Sequence, residues 1–215
     1  LRRLNPLNAT PDARMRGTVV HEILENYFRE WPNIPAEWRQ AKFTEILQDT
    51  LQNSVPWPST REFWRNRLDQ VMDWLIDGEV ARRKNAQPIG FEANGRLEIP
   101  DLDFTIRAIA DRVDQRSDGS LVIYDYKTGV APTEKQQLFF DKQLYLLALV
   151  AEHSGFVNVE PNKVFNAAFI GLGNPAKIVN APFEKESVEE AYRKLRQLIE
   201  RYQDPDQGFT ARRAL

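Results

Sequence analysis

The sequence predicts a mixed α/β fold of the α+β type, in which an antiparallel three-strand meander forms the centre of a sheet flanked by helices. Apolar residues recur at helical spacing as far as about residue 84, alternate with polar residues from about Pro88, and return to helical spacing after residue 133. The predicted order is therefore three helices, three strands, a helix, two strands and a helix.

The segment before Pro88 is predicted to be a helical appendage. A first helix runs from Arg16 to Trp31, a second covers 36–52, and a third follows the proline-rich "SVPWPST" and reaches about Lys84. The predicted buried residues of the first and third helices are Val20, Ile23, Leu24, Tyr27, Phe28, Trp31, Phe63, Trp64, Leu68, Val71, Met72, Leu75 and Ile76.

The meander is predicted from three alternating runs. These are "PIGFEANGRLEIP" at 88–100, "DFTIRAIADRVDQRS" at 103–117 and "SLVIYDYK" at 120–127. Turn residues separate the second run from the third, which favours an antiparallel hairpin.

The remaining elements follow from capping signals and periodicity. Thr133 and Gln136 have the spacing of a capping box, which predicts a helix to about His153 with Gly155 as its C-terminal stop. Strands are predicted at 163–173 and 177–183, and Ser187 with Glu190 begins a last helix. The apolar stripe predicted for that helix contains Val188, Ala191, Tyr192, Leu195, Leu198, Ile199 and Tyr202.

We expect one domain over residues 1–215. It comprises a helical insertion at 32–86, a core at 88–173 that carries the candidate site, and a C-terminal helix at 186–203. The first residue is Leu1 rather than methionine, from which we expect a fragment of a longer protein.

Composition excludes several classes of site. The chain has no cysteine, which excludes disulfides, thiolate zinc sites and a cysteine-ligated iron-sulfur cluster. A net charge of -2 gives no overall basic signature, so a nucleic acid would need a local patch. We find no membrane-spanning run and no signal peptide, and therefore predict a cytoplasmic protein that has no membrane partner.

The run "VIYDYKTG" at 122–129 places two charges in a strand that is otherwise apolar. Asp125 and Lys127 are two residues apart, so their side chains project from the same face. Ionised groups inside a sheet cost several kcal/mol unless they are paired or metal-bound. Asp111, one hairpin upstream, is the natural candidate for a second carboxylate.

The hairpin register decides whether the two carboxylates meet. A two-residue turn would leave Asp111 and Asp125 on opposite faces. A three-residue loop at 117–119, with its glycine left-handed, pairs residue 111 with 125 and Val113 with Ile123. We favour the three-residue loop because it aligns the charged positions and the apolar positions together.

Converging carboxylates suit a hard divalent cation such as Mg²⁺, which prefers oxygen ligands and retains water for phosphate substrates. A neighbouring ammonium can position an attacking water while the cation neutralises charge on a phosphate. This chemistry hydrolyses phosphodiesters. The alternative is a purely structural salt bridge between Asp125 and Lys127, with Asp111 in a turn.

Four motifs in order extend this hypothesis. "GTVVHEILENY", "AIADRVD", "VIYDYKTG" and "KQLYLLALV" resemble the RecB-type nucleases of the PD-(D/E)XK superfamily over residues 15–152. The opening "LRRLNPL" and closing "GFTARRAL" make the chain most similar to the C-terminal nuclease domain of AddB-type subunits of bacterial AddAB helicase-nucleases. The resemblance implies a restriction-endonuclease-like core.

The resemblance also implies roles for residues. The metal ligands it implies are His21, Asp111 and Asp125. Lys127 matches the lysine of the D-x-K motif, Gln143 matches the glutamine of the helix motif and Glu92 fits a first-strand glutamate. Taken without the motifs, a histidine at the edge of a helical stripe, as His21 is, has a structural role more often than a metal-binding one.

The implied function is that of a Mg²⁺-dependent deoxyribonuclease, an exonuclease that processes double-strand DNA ends for recombinational repair, in which Mn²⁺ substitutes for Mg²⁺. The implied partners are DNA and an AddA-like helicase-nuclease subunit. The alternatives are a non-catalytic DNA-binding or scaffolding module and a stand-alone nuclease of Cas4-like or phage type.

Two features depart from the family pattern. Position 147 is leucine where the helix motif often has tyrosine, and the four cysteines of an iron-sulfur staple are absent. We therefore expect no iron-sulfur cluster in this chain.

Overall fold

The computed structural model describes residues 11–206. The quoted segments "LRRLNPL" and "GFTARRAL" lie outside the described residues. The helices are α1 (Ala13–Glu30), α2 (Arg39–Ser54), α3 (Pro58–Asp69), α4 (Met72–Arg83), α5 (Glu134–Phe139), α6 (Gln143–His153) and α7 (Val188–Gln203). The strands are β1 (Ala86–Ile99), β2 (Phe104–Arg116), β3 (Leu121–Lys127), β4 (Val164–Gly171) and β5 (Lys177–Asn180).

The strands form one five-stranded sheet in the order β1-β2-β3-β4-β5. The first three are antiparallel, as the alternating runs predict, and β5 is antiparallel to β4. β4 is parallel to β3, so the chain must cross from one end of the sheet to the other, and α5 and α6 supply that connection. The predicted fold class, a mixed α/β sheet flanked by helices, is confirmed.

The predicted three-residue loop and its register are confirmed, but the predicted pair of residues 111 and 125 is not formed. Val113 pairs with Ile123, and Gly119 adopts the left-handed conformation with φ 85°. Pairing between β2 and β3 ends at Arg112 and Tyr124, whereas β2 stays paired with β1 as far as Phe104. β2 and β3 therefore separate at Asp111, and the part of β2 before Arg112 pairs only with β1.

Helices cover both faces of the sheet. One face packs against α1, α2, α3 and α4 in a core that includes Tyr27, Phe43 and Leu47. The other packs mainly against α6 and includes Val113, Ile123 and the apolar side chains of that helix. The sheet is thus buried on both sides at its centre, where charged side chains need specific partners.

Several predicted helix boundaries differ from those observed. The third predicted helix is divided into α3 and α4 at Gln70 and Val71, and the helix predicted from residue 133 is divided into α5 and α6. The prediction that Phe63 is buried is wrong. Phe63 is 57% exposed, because the buried face of α3 contains Trp64 and Leu68 instead. No helix among residues 11–206 is long and apolar enough to cross a membrane.

Candidate active site

The carboxyl end of β3 presents Asp125 and Lys127 to the start of α6. Lys127 Nζ lies 2.8 Å from Asp125 Oδ2 and donates to Gln143 Oε1 at 2.6 Å. The Gln143 amide nitrogen in turn donates to Asp125 Oδ1 at 2.5 Å. Gln143 can reach both because α6 begins with it, immediately after the break from α5. The three side chains form a closed polar ring.

Asp111 lies where β2 leaves β3. Its Oδ2 accepts a hydrogen bond of 2.7 Å from the backbone nitrogen of Tyr126, so the carboxylate replaces the strand partner that the departing backbone no longer supplies. The separation of β2 from β3 therefore creates both the space and the hydrogen-bond donor that hold this buried side chain.

His21 approaches from α1 on the same side. Its Nε2 lies 2.9 Å from the carbonyl oxygen of Tyr126, and since a carbonyl only accepts, Nε2 must carry the proton. Nδ1 lies 3.5 Å from Asp111 Oδ1 and 3.5 Å from Glu92 Oε1. In neutral imidazole the lone pair on Nδ1 thus faces the two carboxylates, which is the arrangement of a metal-binding histidine oriented by a carbonyl.

Glu92 reaches the site from β1. Its neighbours Phe91 and Ala93 pair with Arg112 and Ala110 of β2, so Glu92 lies opposite Asp111. Its backbone has φ 46°, which is unusual for a residue other than glycine. Atoms of His21, Glu92 and Asp111 lie within 4.8 Å of one another.

Burial and charge shift the pKa values in this cluster. Burial alone would lower the pKa of His21, but the hydrogen bond to Glu92, the charge of Asp111 and the Tyr126 carbonyl raise it to about 9. The pKa of Asp111 is raised, chiefly by burial and then by the Asp125 charge. Burial also raises the pKa of Asp125, although Lys127 opposes the shift. Without a cation, the site holds more negative charge than its surroundings favour.

The donor set fits a hard divalent cation. Asp111 Oδ1, Glu92 Oε1 and His21 Nδ1 face one another, and Asp125 Oδ2 is buried without an aligned hydrogen-bond donor although it lies beside the ammonium of Lys127. Carboxylate oxygens with one imidazole nitrogen are suitable ligands for Mg²⁺ or Mn²⁺.

The structure therefore brings all six predicted site residues together around the C-terminal end of β3. The tight three-residue group contains Glu92 with His21 and Asp111, whereas Asp125 is directed toward Lys127 and Gln143. The sequence-based prediction assigns the ligand position to Asp125 and leaves Glu92 with a less defined role. The approach of Glu92 to His21 depends on the packing of α1 against β1, which the local sequence does not show.

A second charged group, missed by the sequence analysis, lies on the opposite face of β2. Arg112 is fully buried and binds Asp114 through Nε at 2.6 Å and Nη2 at 2.8 Å. Its Nη1 donates to Glu79 of α4 at 2.5 Å, and Arg82 and Arg83 contact the same carboxylate. The alternation in "AIADRVD" indicates that Arg112 and Asp114 share a face, but only the fold shows that Glu79 joins them.

Several known proteins are similar in sequence to this chain. An "Uncharacterized protein" of Rickettsia felis is 30% identical over 184 residues, which cover 82% of this chain and 21% of that protein. A protein of Rickettsia typhi is 31% identical over 79% of this chain and 21% of its own length. An ATP-dependent helicase/deoxyribonuclease subunit of Streptococcus pyogenes serotype M1 is 23% identical, and the match covers 77% of this chain and 15% of the streptococcal protein.

The chain thus spans about a fifth or less of the length of these relatives. The similarity to the streptococcal protein confirms the predicted resemblance to AddB-type proteins. A family model described as the PD-(D/E)XK nuclease superfamily matches residues 1–214, almost the whole chain. The five-stranded sheet is consistent with the restriction-endonuclease-like fold of that superfamily. The chain belongs to the PD-(D/E)XK nuclease superfamily.

Proposed function

We propose that this chain is the metal-dependent deoxyribonuclease domain of an AddB-like protein, hydrolysing phosphodiester bonds when double-strand DNA ends are processed for recombinational repair. The observation that carries the proposal is the meeting of His21, Glu92 and Asp111 beside the ring of Asp125, Lys127 and Gln143. A purely structural salt bridge between Asp125 and Lys127 would not require His21, Glu92 and Asp111 to lie together beside it.

His21, Glu92, Asp111 and Asp125 would hold Mg²⁺, and Mn²⁺ would substitute. When bound, the ion supplies Lewis-acid stabilisation of charge on the phosphate and a more acidic water. The two carboxylates whose pKa values are raised gain a countercharge, which favours their ionised forms.

Lys127 positions the attacking water and the phosphate. Its ammonium donates a hydrogen bond to Gln143 and forms an ion pair with Asp125, so an N–H donor remains for a water or a phosphoryl oxygen. Since the anchors fix the ammonium before substrate arrives, its charge is preorganised for the transition state. Gln143 holds both partners of the D-x-K pair and serves as a positioning residue.

The similarity to a helicase/deoxyribonuclease protein supports DNA as substrate and an AddA-like helicase as partner. An exonuclease working with a helicase receives its strand from that helicase, which agrees with a net charge of -2 on this chain. We therefore assign DNA delivery to the larger assembly.

Replacing Lys127 tests the assignment. Lys127→Ala is expected to reduce cleavage of linear DNA in Mg²⁺ or Mn²⁺ by roughly 10²–10³-fold, because it removes a preorganised charge, and to leave Mn²⁺ binding largely intact. Asp111→Ala is expected to lose both metal binding and cleavage. Ca²⁺ should bind but support little hydrolysis, since its coordination geometry is looser.

The matched control is Lys163→Ala, an exposed lysine just before β4. Activity is measured on linear DNA with and without a helicase partner, and metal binding by calorimetry. Wild-type cleavage rates in Lys127→Ala would overturn the assignment of Lys127. A wild-type chain that binds metal and DNA but cleaves under no metal or partner condition would support the scaffolding alternative.

A further inference from the structure

The hairpin formed by β1 and β2 extends past the candidate active site as a two-stranded arm. β2 pairs with β3 only from Arg112 onward, whereas β1 and β2 stay paired to the end of β1 and the start of β2. Residues 93–99 of β1 and 104–110 of β2, termed the β1–β2 arm, therefore have no pairing with β3. The arm begins next to Glu92 and Asp111, two of the candidate metal ligands.

The two faces of the β1–β2 arm differ. One face packs into the core around α6 and contains Ala93, Leu97, Ile106, Ala108 and Ala110. Because side chains alternate along a strand, the polar and apolar residues between them share the other face. These residues are all exposed, and they are Asn94, Arg96, Glu98, Thr105, Arg107 and Ile109. This side of the hairpin is termed the exposed face.

Asp111 continues the exposed face toward the candidate active site. Its predecessor Ala110 packs into the core around α6, so Asp111 and Ile109 lie on the other side of β2. In agreement, Asp111 Oδ1 lies 3.5 Å from Nδ1 of His21, which belongs to α1 on the sheet face opposite α6. The exposed face and the candidate metal ligands are therefore on one side of the hairpin.

The exposed face carries two arginines that lie directly opposite each other. Arg96 of β1 is the pairing partner of Arg107 of β2. Like charges at opposed positions destabilise a hairpin, so this arrangement does not serve the stability of the arm. Arg96 Nη2 lies 2.7 Å from Glu98 Oε1, whereas no carboxylate of residues 11–206 forms an ion pair with Arg107. The two arginines thus keep a net positive charge.

The arginines and exposed apolar side chains line one groove. Its volume is about 740 Å³, and its lining includes Arg96, Arg107, Ile109 and Val157. Ile109 and Val157 are 53% and 62% exposed. The backbone nitrogen of Val157 donates a hydrogen bond of 2.7 Å to the carbonyl oxygen of Asn94, which holds this wall of the groove against β1. Positive charge beside exposed apolar surface suits a single nucleic-acid strand, because its phosphates and its base faces are both accessible.

The groove lies within reach of the candidate metal ligands. Arg107 precedes Asp111 by four residues, which is about 13 Å along the strand. At the duplex rise of about 3.4 Å per nucleotide, that length corresponds to about four nucleotides, and to fewer in an extended single strand. A strand held at the candidate metal ligands can therefore continue along the exposed face to both arginines.

We propose that Arg96 and Arg107 bind phosphates of the single DNA strand that enters the candidate active site. This inference rests on the proposed nuclease function and deepens it, because it makes the β1–β2 arm the surface that holds the strand a few nucleotides from the cleaved bond. Arg107 donates to a phosphate directly, whereas Arg96 exchanges Glu98 for one. A bound phosphate also offsets the repulsion between the two arginines.

The salt dependence of DNA binding tests the role of Arg107 without any cleavage. Binding of a fluorescent single-stranded oligonucleotide is measured with Ca²⁺ at a series of NaCl concentrations. Arg107→Gln is expected to weaken binding and to reduce the magnitude of the slope of log Kobs against log salt by about 0.7, the value for one phosphate contact on a single strand. Arg107→Lys is expected to retain most of the slope, because it keeps the charge.

Glu98→Gln tests the exchange at Arg96 and has the opposite expected sign. It should strengthen binding, because a phosphate no longer has to displace a carboxylate from Arg96. The matched controls are Arg193→Gln and Glu190→Gln, which alter another exposed pair on α7, a helix that packs against α6. Both controls are expected to leave the slope and the affinity close to those of wild type.

Thermal unfolding confirms that each variant is folded. A slope for Arg107→Gln equal to that for Arg193→Gln would overturn the role of the β1–β2 arm, even if the wild type cleaves DNA. A reduced slope for Arg107→Gln in a chain that cleaves under no metal or partner condition would support the arm as a DNA-binding surface and reject the nuclease function.

Discussion

Two candidate metal ligands are fixed through a single residue, Tyr126. Its backbone nitrogen donates to Asp111 and its carbonyl accepts from His21. The first bond fixes which oxygen of Asp111 is free, and the second fixes the tautomer of neutral His21. The ligand atoms are therefore set by the main chain of β3, without reliance on flexible side-chain partners.

The raised pKa of His21 makes metal binding depend on pH. With a pKa of about 9 the imidazole is protonated at neutral pH in the metal-free protein, and it must lose that proton before Nδ1 can bind a cation. We expect the apparent affinity for Mn²⁺ to increase as pH rises from about 6 to 9, by up to about tenfold per unit for each proton released.

Calorimetry in two buffers that differ in ionisation enthalpy counts the protons released on Mn²⁺ binding. His21→Gln should release fewer protons and bind more weakly, whereas His153→Gln, which changes the other histidine of the chain, should match wild type. Equal proton release in wild type and His21→Gln would show that His21 does not bind the metal.

At the scale of elements, a buried ionic group joins α4 to β2. The Glu79 side chain is fully buried and shared by Arg112, Arg82 and Arg83, and the ring faces of Phe28, Phe91 and Tyr124 surround Arg112. Burial would raise the pKa of Glu79, but the adjacent arginine charges lower it overall. The pKa of Asp114 is raised, because its burial outweighs the attraction of Arg112.

Glu79→Gln is expected to lower the free energy of unfolding at pH 7 by about 3–5 kcal/mol, because the arginines remain buried without their shared countercharge. A folded-state pKa below the unfolded value means that ionised Glu79 stabilises above about pH 4.5 and that this contribution is lost as pH falls through the folded value. The decrease in the free energy of unfolding caused by Glu79→Gln should therefore be largest near neutral pH and smaller in acid.

Urea unfolding at pH 7 and in acid measures this effect. Glu62→Gln, which alters an exposed pair with Arg65 on α3, is the control and should leave stability unchanged within error. A Glu79→Gln protein as stable as wild type at pH 7 would show that the buried group contributes specificity without net stability.

Elements governed by local signals could be predicted from the sequence. The left-handed Gly119 sets the β2–β3 hairpin, and the Thr133 capping box begins a helix as expected. The break between α3 and α4 could not be predicted, since no proline or glycine lies at Gln70 or Val71 and the apolar stripe continues through it. Both α3 and α4 pack against α2, and α4 also packs against β1, contacts that the local sequence does not show.

The same distinction holds for the candidate site. Asp111, Asp125 and Lys127 could be grouped because strand register relates them, whereas His21 required the family resemblance. Glu92 was also predicted through the resemblance, whereas its contact with His21 and the link from Arg112 to Glu79 required the structure. Both depend on contacts between residues far apart in the chain, which periodicity does not encode.

At the scale of the whole molecule, the buried charge of Asp111 affects stability while no cation is bound. The folded-state pKa of Asp111 is above its unfolded value, so its ionised form opposes folding above the unfolded pKa, and the penalty grows until pH exceeds the folded value. A cation bound beside Asp111 would offset this penalty.

Asp111→Asn is expected to raise the metal-free Tm at pH 8 by roughly 2–6 °C, because asparagine can still accept from Tyr126 without the charge. Mn²⁺ at 100 times its Kd should stabilise the wild type by about 2.7 kcal/mol, a rise in Tm of roughly 5–10 °C. The variant should show no such rise.

Thermal unfolding with and without Mn²⁺ at pH 8 measures both changes, and Asp118→Asn in the exposed hairpin loop is the control. A metal-free Asp111→Asn protein with a lower Tm than wild type would show that the carboxylate contributes more through its hydrogen bond than it costs through its charge.

The bond from the Tyr126 amide to Asp111 has a further consequence for hydrogen exchange. This amide proton is held by a side chain that is also a candidate metal ligand, whereas neighbouring amides of β3 are held by backbone carbonyls. Its exchange with deuterium therefore requires Asp111 to move, an opening that a bound cation would oppose. The protection of one backbone proton, followed by nuclear magnetic resonance, would then report occupancy of the site without any substrate being present.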